Sequence, residues 1–160
     1  RYSDVIQYST AGLYVVSIPS GAKSAKIHII GAGSNSSNGG FSGGEVKLVL
    51  NSTQLIGHTN LAVNIGNAGT NTVLYLDGII TIATANSSFS DYTGITPPYG
   101  SISIGYNGVI SYGKRGSLSF GGSFSLGCGG YSSNTPTLGS GGGNTTGAPG
   151  VATFTFMFID

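Results

Sequence analysis

Residues 151–158 read VATFTFMF, a segment in which two kinds of side chain alternate. Alternation with a period of two is typical of a β-strand, because successive side chains of a strand point to opposite faces of the sheet. Phe154, Phe156 and Phe158 then share one face with Ala152. Three phenylalanines on one face predict that this strand is a central element of a hydrophobic core.

The same alternation occurs along most of the chain. Residues 45–50 read EVKLVL and place Val46, Leu48 and Leu50 on one face, and residues 61–65 repeat the pattern. Further runs rich in β-branched residues lie at 13–18, 26–30, 73–76, 79–82, 102–106 and 109–112. No segment has the helical period of 3.6 residues. Short strands separated by turns predict an all-β protein, an antiparallel β-sandwich or barrel without a helical segment.

Two dipeptides predict hairpin turns. Asp77-Gly78 separates two apolar runs, and Asn107-Gly108 separates two others. Both pairs suit a type I′ turn, whose two central residues need positive φ angles and whose twist matches that of the flanking strands. We expect each pair to join two neighbouring antiparallel strands.

Glycine accounts for 29 of the 160 residues and is concentrated in three tracts, at 31–44, 121–130 and 139–147. Because these tracts recur between apolar strands, we expect them to pack on one another as extended, polyproline-II-like segments. Glycine permits such backbone-to-backbone contact, as it does at the axis of collagen. The alternative is that the tracts are mobile loops, as glycine-rich linkers often are.

Charged residues make up only 7% of the chain, and six Lys and Arg against five Asp and Glu give a net charge of +1. Six scattered cations form no basic stripe, which argues against nucleic-acid binding through phosphates. No apolar run reaches the roughly 18 residues of a membrane-spanning helix, so we expect no membrane insertion. The single Cys128 cannot form an internal disulfide, and its Gly-rich surroundings are more typical of a small buried side chain than of a nucleophile.

The chain offers little for catalysis. Asp4, Glu45 and Asp91 are far apart in sequence, and His28 and His58 belong to no metal-ligand cluster. His28 lies in an alternating strand, where a lone histidine is usually a half-buried aromatic side chain. We therefore expect no enzyme activity, no cofactor and no metal site.

The order of these segments is similar to that of a known family. Residues 14–33 read YVVSIPSGAKSAKIHIIGAG, residues 43–50 read GGEVKLVL, and residues 61–69 read LAVNIGNAG. Further Gly-rich loops and the Phe-rich strand follow. Over roughly residues 11–159 this pattern resembles the glycine-rich domain at the C-terminal ends of bacteriophage tail fibres and related virion adhesins. A similar arrangement occurs in the extracellular glycine-rich region of anaplastic-lymphoma-type receptor kinases. The chain departs from the family by carrying Asn and Ser within its Gly runs, and by its central stretch at 87–112.

The resemblance implies a jelly-roll, tumour-necrosis-factor-like β-sandwich with Gly-rich loops, usually assembled as a homotrimer. It also implies an extracellular role on the virion: a receptor-binding head at the tip of a tail fibre or spike. Its partner would be a host cell-surface glycan or an outer-membrane protein. The alternative is a structural trimerisation or decoration domain that binds no receptor. Because the chain begins with Arg1, we expect residues 1–160 to be one domain, the C-terminal fragment of a longer fibre or spike protein.

The candidate receptor-binding residues are mainly tyrosines. The charge-poor stretch between Phe89 and Thr135 is rich in Tyr and contains Pro97-Pro98, which favours an extended, rigid loop. Tyrosine rings beside a few polar groups suit a saccharide, whose CH faces stack on the rings while its hydroxyls form hydrogen bonds. The candidates are Tyr92, Tyr99, Asp91, Tyr131, Lys114, Arg115, Tyr106 and Tyr112. For some of these tyrosines, packing in the core or in a subunit interface is the alternative.

Overall fold

The computed structural model describes residues 2–34, 40–67, 69–87, 96–114 and 147–159. Two five-stranded antiparallel sheets pack against each other, which confirms the predicted β-sandwich. The elements in chain order are β1 Ser3–Tyr8, β2 Gly12–Ser17, β3 Ser24–Ile30, β4 Glu45–Leu50, α1 Ser52–Leu55, β5 Asn60–Ile65, β6 Thr72–Leu76, β7 Ile80–Ala85, β8 Gly100–Ile102, β9 Asn107–Ser111 and β10 Val151–Met157.

One sheet contains the first and the last strand and is called the terminal sheet; its order is β1-β10-β3-β4-β9. The other is called the meander sheet because most of its neighbouring strands follow one another in the chain; its order is β2-β5-β6-β7-β8. Strand β10 lies between β1 and β3, so that Phe154 has Ile6 on one side and Ile27 on the other. This position confirms that the last strand is a central element of the core.

The core fills the space between the two sheets, as the alternation predicts. Phe154 and Phe156 are fully buried, with ring centroids 6.5 Å apart. Leu61 and Leu74 of the meander sheet are also fully buried and belong to the same cluster of contacts. Each such side chain contributes about 1.5–3 kcal/mol through its removal from water. Packing of the apolar faces therefore holds the two sheets together.

The Asp77-Gly78 hairpin is confirmed. Asp77 has a φ of 54° and Gly78 a φ of 74°, and the Ile79 amide donates to the Leu76 carbonyl at 3.2 Å. Two central residues with positive φ are the mark of a type I′ turn. The turn joins β6 to β7, which pair side by side.

The hairpin predicted at Asn107-Gly108 is wrong. The turn lies earlier, where Gly105 has a φ of 97° and the Tyr106 amide donates to the Ser103 carbonyl at 3.2 Å. Strand β8 pairs with β7 in the meander sheet, whereas β9 pairs with β4 in the terminal sheet. Because Gly105 supplies the positive φ, Asn107 and Gly108 are extended and begin β9, and the chain changes sheet at this turn.

Two elements of the structure, β1 and α1, were not predicted from the sequence. Strand β1 turns only Asp4, Ile6 and Tyr8 toward the interior side, too short an apolar pattern to recognise. The expectation that the chain has no helical segment is wrong by one turn, α1. A reciprocal capping box of Asn51 and Gln54 closes this turn, with two hydrogen bonds of 2.9 Å.

The glycine-rich segments pack on one another wherever the structure describes them, at 31–34, 40–44 and 147–150. The Gly31 amide donates to the Gly44 carbonyl, and the Gly33 amide donates to the Ala148 carbonyl, both at 2.9 Å. Ala32, Ser34, Phe41 and Ser42 are fully buried. The predicted packing is thus confirmed for these segments, while residues 121–130 and 139–146 lie outside the described part of the chain.

Glycine is required in these segments because the backbones lie too close for a side chain. A Cβ atom on Gly44 would overlap the carbonyl group of Tyr99, and one on Gly43 would overlap the backbone of Gly31. Neither obstacle is the end of a flexible side chain. Any larger residue would therefore push whole segments apart.

We expect Gly44→Ala to lower the free energy of unfolding by about 1–3 kcal/mol, the usual range for overpacking a closed site. Gly57→Asn is the matched control. Gly57 has open space around its Cβ position and a φ of +80°, which asparagine tolerates. Its effect should stay within about 0.5 kcal/mol. Urea unfolding followed by circular dichroism measures both, and equal stability of Gly44→Ala and the unmodified protein would contradict the close packing.

Candidate functional site

Two of the predicted tyrosines form an exposed pair. The ring centroids of Tyr99 and Tyr112 are 4.2 Å apart, with an interplanar angle of 33°. The two residues are 38% and 55% exposed. Tyr99 directly precedes β8 of the meander sheet and Tyr112 directly follows β9 of the terminal sheet. The pair therefore spans the place where the two sheets meet.

Backbone hydrogen bonds hold the segments that carry the tyrosine pair. The Gly113 amide donates to the Pro98 carbonyl at 2.7 Å, which links the two segments directly. The Tyr99 carbonyl accepts from the Asn86 amide at 2.9 Å, and the Asn86 carbonyl accepts from the Gly44 amide at 2.9 Å. Tyr99 is thereby connected to the packed glycine segments.

Ser42 forms hydrogen bonds with Lys114, the residue that follows Gly113 in the chain. Its hydroxyl accepts from the Lys114 amide at 2.7 Å and donates to the Gly43 carbonyl at 3.1 Å. The Ser42 amide donates in turn to the Lys114 carbonyl at 3.0 Å. Ser42 is fully buried, whereas Lys114 is exposed. A buried serine of the first glycine tract therefore positions the cationic residue that lies two positions after Tyr112.

The structure does not bring all the candidates together. Tyr106 is partly buried and packs against the core, at the turn between β8 and β9. That placement corresponds to the alternative of core packing. Four further candidates lie outside the described residues: Asp91, Tyr92, Arg115 and Tyr131.

The tyrosine pair offers binding chemistry. Exposed ring faces can contact the CH groups of a ligand, and phenolic hydroxyls can donate and accept hydrogen bonds. In the part of the chain that the structure describes, no three His, Cys, Asp or Glu side chains come together as metal ligands. The described helix content is also too short and too polar to cross a membrane.

The two histidines each contact a carboxylate. His28 Nε2 lies 2.8 Å from Glu45 Oε2, and His58 Nδ1 lies 2.6 Å from Asp77 Oδ2. The hydrogen bond with His58 lowers the pKa of the Asp77 carboxyl group below its usual value, with a smaller lowering contribution from the Thr59 amide. Neither contact could be read from the sequence, because the partners lie 17 and 19 residues apart.

The lowered pKa of Asp77 makes a pH-dependent contribution to stability. Folding favours the ionised carboxylate, so this contribution is present above the carboxyl group's ordinary pKa and is lost as the pH falls through the lower folded value. Asp77→Asn removes the charge while keeping a residue that tolerates the positive φ of the turn.

We expect Asp77→Asn to melt at a lower temperature than the unmodified protein near pH 6, and the difference to shrink toward about pH 2. Thermal unfolding at a series of pH values measures this difference. The control is the same substitution in a His58→Gln background, in which the contact with His58 is absent before and after the change. A melting difference for Asp77→Asn that is the same at every pH would show that the His58 contact is not its cause.

A second feature is an open concavity of about 470 Å³ on the outer face of the terminal sheet. Its lining includes Lys26, His28, Lys47, Thr153 and Thr155. The sequence prediction did not single out these residues as a site. Alternation already places Lys47 on the face opposite to Val46 and Leu48. The sequence does not show, however, that β10, β3 and β4 are neighbours in the sheet.

No protein-family model matches this sequence, and no curated protein matches it significantly. The resemblance to fibre domains therefore depends on the residue pattern described above.

Proposed function

We propose that this chain is the receptor-binding head of a virion fibre or spike and attaches the particle to a glycan on the surface of its host cell. The observation that carries the proposal is the exposed tyrosine pair, Tyr99 and Tyr112, held by hydrogen bonds to buried glycine-rich segments. The domain acts by binding, without catalysis. An outer-membrane protein is the other receptor class compatible with an aromatic surface.

The geometry of the pair supports recognition for a physical reason. A loop that orders itself on binding loses conformational entropy, which weakens affinity. The segments of Tyr99 and Tyr112 are already tied together by the Gly113–Pro98 hydrogen bond. Tyrosine adds a large contact area with few rotatable bonds. The pair therefore presents a preformed aromatic surface to a sugar ring.

The proposal includes a homotrimer at the tip of a tail fibre or spike, outside the host cell. A single aromatic pair gives weak binding to a saccharide, but several linked copies raise the overall affinity through effective concentration. The resemblance to the glycine-rich domains of tail fibres supports this arrangement.

We expect Tyr99→Ala and Tyr112→Ala to weaken attachment of the fluorescently labelled domain to host bacteria by about tenfold or more, as for residues at the centre of an interface. Tyr2→Ala is the matched control, because Tyr2 is a 72% exposed tyrosine directly before β1. Unchanged attachment by both variants, with melting curves like that of the unmodified protein, would refute this site.

Enzymatic removal of the surface polysaccharide separates the two receptor classes. Loss of labelling after removal identifies a glycan, whereas labelling that persists identifies a surface protein. A folded domain that labels no strain in a broad panel would contradict receptor binding itself.

A second candidate function, a structural trimerisation or decoration domain, has its own observation. The five strands of the meander sheet contain no charged residue. On its outer face, Leu13 and Val15 of β2 are 67% and 63% exposed. An uncharged face with exposed aliphatic side chains suits association with further copies of the chain.

We expect Val15→Lys to convert the trimer to monomers, because it places a charge in an apolar contact. Val5→Lys is the matched control. Val5 is 64% exposed on β1, an edge strand of the terminal sheet, as β2 is an edge strand of the meander sheet. Sedimentation velocity measures the masses. A trimer that survives Val15→Lys, or an unmodified protein that is a monomer, would contradict this contact.

A further inference from the structure

The outer face of the terminal sheet differs from that of the meander sheet in carrying cations. Lys26 of β3 and Lys47 of β4 both lie on it and are both exposed. The register places Lys26 opposite Val49 and Lys47 opposite His28. The two lysines are therefore diagonal neighbours on adjacent strands, with backbones about 7–8 Å apart. One anionic group between them can contact both.

Two threonine hydroxyl groups lie on the same outer face, on the strand next to β3. Strand β10 places Thr153 next to His28 and Thr155 next to Lys26. Both threonines line the concavity of about 470 Å³ together with the two lysines. A ligand in this concavity would meet cations and hydrogen-bonding hydroxyls from three adjacent strands.

The Glu45 carboxylate of β4 does not neutralise this face. Glu45 is only 8% exposed, and its Oε2 atom lies 2.8 Å from His28. Its Oε1 atom is 4.0 Å from the Lys47 ammonium, at the limit of an ion pair, and the Lys47 side chain remains 62% exposed. A surface pair of this kind contributes little and leaves Lys47 able to contact a ligand. The exposed charge of the concavity is therefore positive.

Apolar surface continues the concavity toward the edge strand. Val49 of β4 and Val109 of β9 are 48% and 65% exposed and line it. Asn107 of β9, opposite Val49, adds an amide group. A ring with CH groups on one face and an anionic substituent at one end would match this order of valines and lysines.

From this arrangement we infer that the terminal sheet binds an acidic saccharide unit, with its carboxylate or phosphate group between Lys26 and Lys47 and its ring over Val49 and Val109. The inference rests on the proposed function in taking a saccharide as the ligand. It assigns a second site, on a different surface from the tyrosine pair. It also predicts that the receptor carries a negative charge.

Calorimetric titration tests the site with three defined probes. They are an oligosaccharide of glucuronic acid units, its carboxyl-reduced and therefore neutral counterpart, and a phosphorylated mannose oligosaccharide. The variant is Lys26→Gln with Lys47→Gln, which retains polarity and removes both charges. Lys23→Gln is the matched control, because Lys23 lines a different cavity beside α1.

The expected result is binding of at least one acidic probe, with no binding of the neutral counterpart. The double variant should weaken that binding by about tenfold or more, as expected when charge-assisted contacts are lost. Lys23→Gln should leave it unchanged, and added salt should weaken it. The acidic probe that binds identifies carboxylate or phosphate as the group recognised.

Three results would overturn the site: no binding of either acidic probe, equal binding of the neutral counterpart, or full binding by the double variant. Attachment to bacteria distinguishes this failure from failure of the proposed function. If the unmodified domain labels cells and Tyr99→Ala does not, while the double lysine variant labels them fully, receptor binding stands and the acidic site falls. If no cell is labelled, the proposed function falls whether or not the acidic probes bind.

Discussion

Close contact between glycine-rich backbones is the constraint on which the rest of the structure depends. Buried peptide groups must form hydrogen bonds, because an unpaired one loses its bond to water without replacement. Gly31 donates to Gly44, Gly44 donates to Asn86, and Asn86 donates to Tyr99, so four separate segments form one bonded series. At Gly31 and Gly44 this series requires glycine, because a Cβ atom would overlap a neighbouring backbone. The same series positions the exposed tyrosine pair at the junction of the two sheets.

The two sheets share one core but have different outer faces. The strands of the terminal sheet carry Lys26, Glu45 and Lys47 on their outer face and Asp4 on the interior side, whereas the strands of the meander sheet carry no charged residue. With only 7% charged residues in the chain, this separation gives each face its own chemistry. The uncharged face suits contact with other copies, and the cationic face suits an acidic ligand.

Strands were predictable where the alternation was long, because the apolar residues of a strand themselves identify the face that is buried. Val46, Leu48 and Leu50 are buried as that pattern predicts. The turn at Asp77-Gly78 was predictable because its chemistry is local. The prediction at Asn107-Gly108 was wrong because a turn dipeptide does not show whether the next strand stays in the same sheet. The contact of Tyr99 with Tyr112 depends on how β8 and β9 meet, which no local pattern contains.

The packing of the glycine segments can be measured directly by hydrogen exchange of backbone amides. The amides of Gly31, Gly33, Gly44 and Gly150 all donate to backbone carbonyls at 2.9 Å. This packing predicts that they exchange as slowly as the amides of β3 and β10, because all of them open only with the core. Fast exchange of the four glycine amides, with β3 and β10 still protected, would contradict it.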